Sequence, residues 1–188
     1  MVPTPTGAQP VLSFEPAVLL RAQGLKVLFL DVDGVLTDGG LLFSEHGETL
    51  KRFNTLDGHG LKLLMRAGIT PVIISGRDSA ALRARLQALG IIHTHLGTED
   101  KYPPATQSLS ALGLSWSQAG AMGDDWPDLA VMRRCAWACA TANAHVEVRA
   151  KAHYVTHAQG GHGAVRECCD LLLAASGRYV DFLDEALQ

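Results

Sequence analysis

The chain has 188 residues, 47% hydrophobic and 19% charged, with a formal net charge of −3. That length suits one domain with a full core, and the scattered basic residues offer no nucleic-acid surface. No apolar run approaches the ~20 residues that span a bilayer, and the N-terminus lacks the charged start and apolar core of a signal peptide, so a cytoplasmic protein is expected. Residues 1–15 carry Pro3, Pro5, Gly7 and Pro10 without periodicity and read as a mobile arm. A short helix over 16–23 completes this N-terminal segment, 1–23. A single domain follows over 24–177, and 178–188 read as a polar-apolar tail.

Val27-Leu28-Phe29-Leu30 is an unbroken apolar run, as expected of a strand buried on both faces of a parallel sheet. Asp31 and Asp33 stand at its carboxyl end, where open α/β sheets place their ligands. Two carboxylates so close repel unless a cation lies between them, and a hard divalent ion such as Mg²⁺ would bring a phosphate with it. Gly39-Gly40 leads into Leu41–Ser44 and Glu48–Phe53, which read as a β-hairpin. Asn54-x-x-Asp57-Gly58 follows; Asp57 reads as the N-cap of a helix that stops at Gly68. A second buried strand, 70–74, ends in Ser75-Gly76-Arg77. A hydroxyl with a backbone N–H there can bind a phosphoryl oxygen, and the guanidinium suits an anionic substrate. A helix over 79–89, a strand over about 91–96 and a helix opened by Lys101 come next.

The small-residue strand 119–122 runs into Gly123-Asp124-Asp125, which supplies the other half of a metal site. A helix is expected over 127–134, with Asp125 or Asp128 serving that helix or supporting the ligands. Strands at 137–140 and 154–156 flank a short helix capped by Asn143, and Gly160-Gly-His-Gly163 opens a helix over 164–175. Cys135, Cys139, Cys168 and Cys169 lie in apolar-periodic surroundings and read as buried free thiols. The alternation predicts a three-layer α/β fold with a mostly parallel sheet. Residues 39–70, 32 in all, separate the first motif from the second strand, and one helix separates Ser75 from Lys101, so neither gap can hold a cap domain. The apolar hairpin is then the surplus surface available to exclude water, and a homo-oligomer is expected in which a neighbour covers each site.

The run Asp-Val-Asp-Gly-Val-Leu-Thr-Asp, with Ser75, Lys101 and Gly123-Asp124-Asp125 in order, resembles the haloacid dehalogenase superfamily, whose core is Rossmann-like. The Asn54–Gly60 segment and the late glycine block resemble, within it, the capless 3-deoxy-D-manno-octulosonate 8-phosphate phosphatases of lipopolysaccharide precursor synthesis. The resemblance implies a phosphoric monoester hydrolase with Asp31 as nucleophile and Asp33 as acid/base. Ser75 and Lys101 would bind the phosphoryl group, and Asp31, the Asp33 carbonyl and Asp124 would hold Mg²⁺. Asp33, Asn54, Asp57, Gly58, Lys62, Arg77 and Arg85 would contact the sugar acid, and the 41–53 hairpin would build a homotetramer. An acylneuraminate or nonulosonate 9-phosphate phosphatase would share the four motifs. A non-catalytic oligomerisation module would be expected to show degraded ones.

Overall fold

The computed structural model describes residues 8–188, so the first seven residues of the expected arm lie outside the described residues. In chain order the elements are α1 (Pro16–Arg21), β1 (Val27–Leu30), β2 (Leu42–Ser44), β3 (Gly47–Leu50), α2 (Thr55–Arg66), β4 (Thr70–Ser75), α3 (Ala80–Leu89), β5 (Thr94–Leu96), α4 (Tyr102–Leu112), β6 (Ala119–Gly123), α5 (Leu129–Met132), β7 (Trp137–Ala140), α6 (Val146–Arg149), β8 (Tyr154–Val155), α7 (Ala164–Ala175) and α8 (Tyr179–Ala186). Six strands form one sheet in the order β5-β4-β1-β6-β7-β8, with every pairing parallel.

Period-two alternation in β1 builds the three layers. Leu28 and Leu30 enter a core with Leu61 and Leu64 of α2, Leu82 of α3 and Leu172 of α7. Val27 and Phe29 enter the opposite one with Leu109 of α4, Val131 and Met132 of α5 and Val148 of α6. Because β1 is covered on both faces, each large side chain in it gains about 1.5–3 kcal/mol from burial, which is why the run is apolar throughout. Leu30 pairs with Ile73 on one side and Met122 on the other. Three adjacent strands thus end together, and Asp31, Ser75 and Asp124 emerge along one edge. No cap domain is present among the described residues; the excursion after β1 is the separate two-stranded β2–β3 hairpin.

Several local expectations differ. Asn54, not Asp57, caps α2, its side chain accepting from Leu56 N at 2.8 Å. The helix expected over 127–134 is a 3₁₀ turn, Trp126–Asp128, followed by the one-turn α5. His145 caps α6, while Asn143 accepts from Gly160 N at 2.8 Å and ties two loops together. The expected tail contains α8, seated by the buried Phe182, which lies under Arg66 and Arg178. All four cysteines are buried thiols.

Candidate active site

A cleft of about 410 Å³ opens at the carboxyl edge of β4, β1 and β6, lined among others by Asp31, Asp33, Ser75, Arg77, Lys101 and Asp124. Asp31, Asp124 and Asp128 each place a carboxylate oxygen within 4.8 Å of the others. Lys101 Nζ reaches Asp31 Oδ1 at 2.6 Å and Asp128 Oδ1 at 2.7 Å. Burial first, then the Asp128 charge, raises Asp31 to about 6 against the pull of Lys101. Burial, Asp128 and Asp31 raise Asp124 to about 8. Burial would lower Lys101, but Asp128 and Asp31 hold it above the ordinary lysine value.

Three carboxylates and one ammonium leave two negative charges in a mostly buried cluster, the charge a divalent cation would neutralise. Asp128 is already committed, through Oδ1 to Lys101 and through Oδ2 to the backbone N–H groups of Asp124 and Asp125 at 3.0 and 3.3 Å. Asp124 Oδ1, by contrast, is buried without any hydrogen-bond partner. Asp31 and Asp124 therefore fit as metal ligands and Asp128 as the group that orients them. Gly34 is required for this approach: its φ is +93°, and a Cβ there would stand 2.1 Å from Asp124 Oδ2. Gly160 closes the loop above, where a Cβ would lie 1.8 Å from the Gly34 carbonyl oxygen.

Ser75 is buried at the end of β4, its Oγ accepting from Arg77 N at 3.2 Å, which leaves the hydroxyl proton to donate into the cleft. The Asp33 carboxylate stands outside the carboxylate cluster. It accepts from Lys51 Nζ and has Arg77 Nε 3.8 Å away. Lys51 also lies 2.9 Å from Glu48 Oε1, though without an aligned hydrogen bond. Glu48 and Lys51 were not anticipated as part of the site; they stand among other hairpin charges, Glu45 and Arg52, and nothing local singles them out.

Of the sugar-acid contacts expected from the resemblance, only Asp33 and Arg77 line this chain's cleft. Asp57 is buried; its Oδ1 accepts from Arg166 N at 2.8 Å in the first turn of α7, while its Oδ2 is buried without a hydrogen-bond partner. Burial raises it, while the backbone N–H groups of Arg166, Gly163 and Val165 lower it. Gly58 is packed under Arg85, whose Nη2 donates to the Asn54 carbonyl at 3.1 Å. Asn54 spans Leu56 N and the Gly161 carbonyl, and Lys62 is exposed on α2.

Residues 99–167 match the family model of haloacid dehalogenase-like hydrolases. The 3-deoxy-D-manno-octulosonate 8-phosphate phosphatase of Salmonella typhimurium is 40% identical over 171 residues, covering 91% of this chain and 89% of that one. The crystal structure of the Yersinia pestis phosphatase of the same name superposes with a TM-score of 0.85 at 40% identity, over 87% of this chain and 89% of that one. The Moraxella catarrhalis phosphatase, solved with magnesium, phosphate and a KDO molecule, gives a TM-score of 0.87 at 35% identity, over 92% of this chain and 98% of that one. With Asp31, Asp33, the buried lysine and the carboxylate cluster already at one sheet edge, these likenesses establish that the chain belongs to the 3-deoxy-D-manno-octulosonate 8-phosphate phosphatase family of haloacid dehalogenase-like hydrolases.

Proposed function

We propose that the chain is a Mg²⁺-dependent phosphatase that hydrolyses 3-deoxy-D-manno-octulosonate 8-phosphate to 3-deoxy-D-manno-octulosonate and phosphate. The observation that carries the reading is the Asp31–Asp124–Asp128 cluster, whose two surplus charges and partnerless Asp124 oxygen suit a divalent ion beside a nucleophile. Asp31, the Asp33 carbonyl and Asp124 would hold Mg²⁺, which when bound neutralises phosphoryl oxygens. Lys101 keeps Asp31 ionised, so the carboxylate oxygen attacks phosphorus and an aspartyl-phosphate forms as the P–O bond to the sugar breaks. Asp33 gives its proton to the departing alkoxide. It then takes a proton from the water that cleaves the aspartyl-phosphate. The Ser75 hydroxyl, its neighbouring backbone N–H groups and Lys101 bind the phosphoryl oxygens where charge accumulates.

Arg77 is 46% exposed at the cleft mouth and is placed to meet the sugar-acid carboxylate. The hairpin exposes Leu42, Phe43 and Leu50 by 53, 61 and 64%, more apolar surface than a free excursion keeps. A homotetramer built through residues 41–53 covers it and sets a neighbour over each cleft. Asn54, Lys62 and Arg85, which do not line their own chain's cleft, then meet the sugar acid across that interface. Residues 24–177 form the catalytic domain in this reading, with α8 as an appendage. No described helix is long and apolar enough to cross a membrane, and we place the enzyme in the cytoplasm, supplying lipopolysaccharide precursor.

The test is phosphate release from 3-deoxy-D-manno-octulosonate 8-phosphate and, in parallel, from N-acetylneuraminate 9-phosphate, each with Mg²⁺ and with chelator. Metal-dependent turnover that strongly favours the octulosonate is expected. Equal or reversed preference assigns the enzyme to nonulosonates, and no release from either removes the catalytic reading.

A further inference from the structure

Asp33 is held by charges that its own strand does not supply. The Lys51 side chain, 1% exposed at the foot of the hairpin, donates to Asp33 Oδ1 and neighbours Glu48 Oε1. Arg77 approaches the other oxygen of each acid, Asp33 Oδ2 at 3.8 Å and Glu48 Oε2 at 4.0 Å. Two acids and two bases thus alternate between hairpin and cleft. The hairpin has a second tie besides Lys51, because Arg52 Nη2 pairs with Asp38 Oδ2 at 2.6 Å in the loop after β1. Lys51 itself does not line the cleft. Its removal would leave both acids to Arg77, which is exposed at the cleft mouth and would draw Asp33 toward it.

We infer that Lys51 is a positioning residue for proton transfer, fixing the Asp33 carboxyl group where it meets the leaving oxygen in its protonated form and then the hydrolytic water as a carboxylate, so that seating of the hairpin governs the acid/base step. The inference rests on the reading of Asp33 given above. In the first half-reaction the Asp31 oxygen bonds to phosphorus, the P–O bond to the alcohol breaks and the Asp33 proton passes to that oxygen. In the second, water oxygen bonds to phosphorus, its proton passes to Asp33, and the bond from phosphorus to Asp31 breaks with its electron pair returning to the carboxylate. A displaced Asp33 impairs both halves, but an aryl phosphate with a stable leaving anion needs no proton in the first.

The experiment compares wild type, Lys51→Met and Lys51→Arg with Mg²⁺, in steady state on the octulosonate phosphate and by stopped flow on p-nitrophenyl phosphate. For Lys51→Met, kcat on the sugar-acid phosphate should fall about 100-fold, the usual effect of a misplacement of about 1 Å, with KM little changed. On p-nitrophenyl phosphate the same variant should release one p-nitrophenolate per chain rapidly and then stall at the aspartyl-phosphate. Lys51→Arg, which keeps the charge and can span both acids, should recover kcat to within about 10-fold and lose the burst. Equal slowing on both substrates with no burst would make Lys51 a general brace, and a loss confined to KM would make it a substrate contact; either overturns the inference. If the Met variant does not fold, Lys51→Gln replaces it under the same criteria. Wild type that cleaves only the aryl phosphate would refute the substrate reading while leaving the burst comparison decisive.

Discussion

Raising the pH of the metal-free protein from about 4 to about 8 charges first Asp31 and then Asp124 beside an Asp128 that is already committed to Lys101 and two amides. In the unfolded chain these carboxyls titrate near 3.8, whereas the folded values are about 6 and about 8. The native state therefore holds protons that the unfolded state has shed, and stability falls with pH across that window. The contribution is complete below 3.8 and is lost as pH climbs through the folded values. Each pH unit over which one extra proton is held amounts to about 1.4 kcal/mol. The Asp31 shift alone amounts to a loss of about 3 kcal/mol, or roughly 10 °C in Tm for a domain of this size, and the Asp124 shift adds to it in the same direction. Mg²⁺ at about 100 times its Kd returns about 2.7 kcal/mol at pH 8, and less at pH 5, where protons compete for the same oxygens. The assay is calorimetry at pH 5 and pH 8, with Mg²⁺ and with chelator, on wild type and Asp124→Asn. The variant should show a smaller alkaline loss, the part due to Asp31 alone, and should lack the metal gain. A metal-free wild type whose Tm, relative to that variant, is unchanged or higher at pH 8 would refute the account of the cluster, as would a Mg²⁺ gain larger at pH 5.

Asp31→Asn should reduce turnover by about 1,000-fold or more while raising the metal-free Tm at pH 8, since it removes a buried charge; steady-state kinetics and a melt read both. Gly34→Ala sets a methyl 2.1 Å from Asp124 Oδ2, so a folded variant should lose the Mg²⁺-dependent gain in Tm. Asp57→Ala removes the acceptor at the start of α7 and should destabilise by about 1–2 kcal/mol, seen as a lower denaturation midpoint, with kcat unchanged. Phe43→Asp should shift sedimentation to a lighter species with an unaltered far-UV spectrum; an unshifted sedimentation coefficient would count against hairpin-mediated assembly.

The parts of this protein readable from the sequence are those in which local chain order sets the chemistry. Apolar runs followed at once by Asp31, Ser75 and Asp124 place those groups at strand ends, and parallel pairing of β4, β1 and β6 brings the ends together. Turn-residue punctuation located most of the helices for the same reason, with errors at their ends, while α8 lies in the stretch that reads as a tail. The helix expected over 127–134 broke because Asp125 and Asp128 serve each other in a capping box, and that reciprocal bonding favours a tight turn.

Groups whose partners lie far along the chain escaped such reasoning. Asp57 stands three residues past Asn54, and both are good capping residues, so the local signal cannot tell which one caps α2. Packing decides it: α2 meets α7 closely enough that Asp57 reaches Arg166 N, a residue 109 positions away, and Asn54 is left to its own helix. Lys51 poses the same problem in a form closer to function. Its spacing from Glu48 would put the two on opposite faces of an extended strand, yet β3 ends at Leu50 and the chain turns, so both side chains converge on Asp33 and Arg77. Two of the charges around Asp33, Lys51 and Glu48, thus come from the element whose apolar side faces outward, and Arg77 comes from the turn after β4. One short hairpin carries both the exposed apolar surface and the ammonium that pairs with Asp33, so the proposed assembly and the proposed proton transfer would share a mechanical origin.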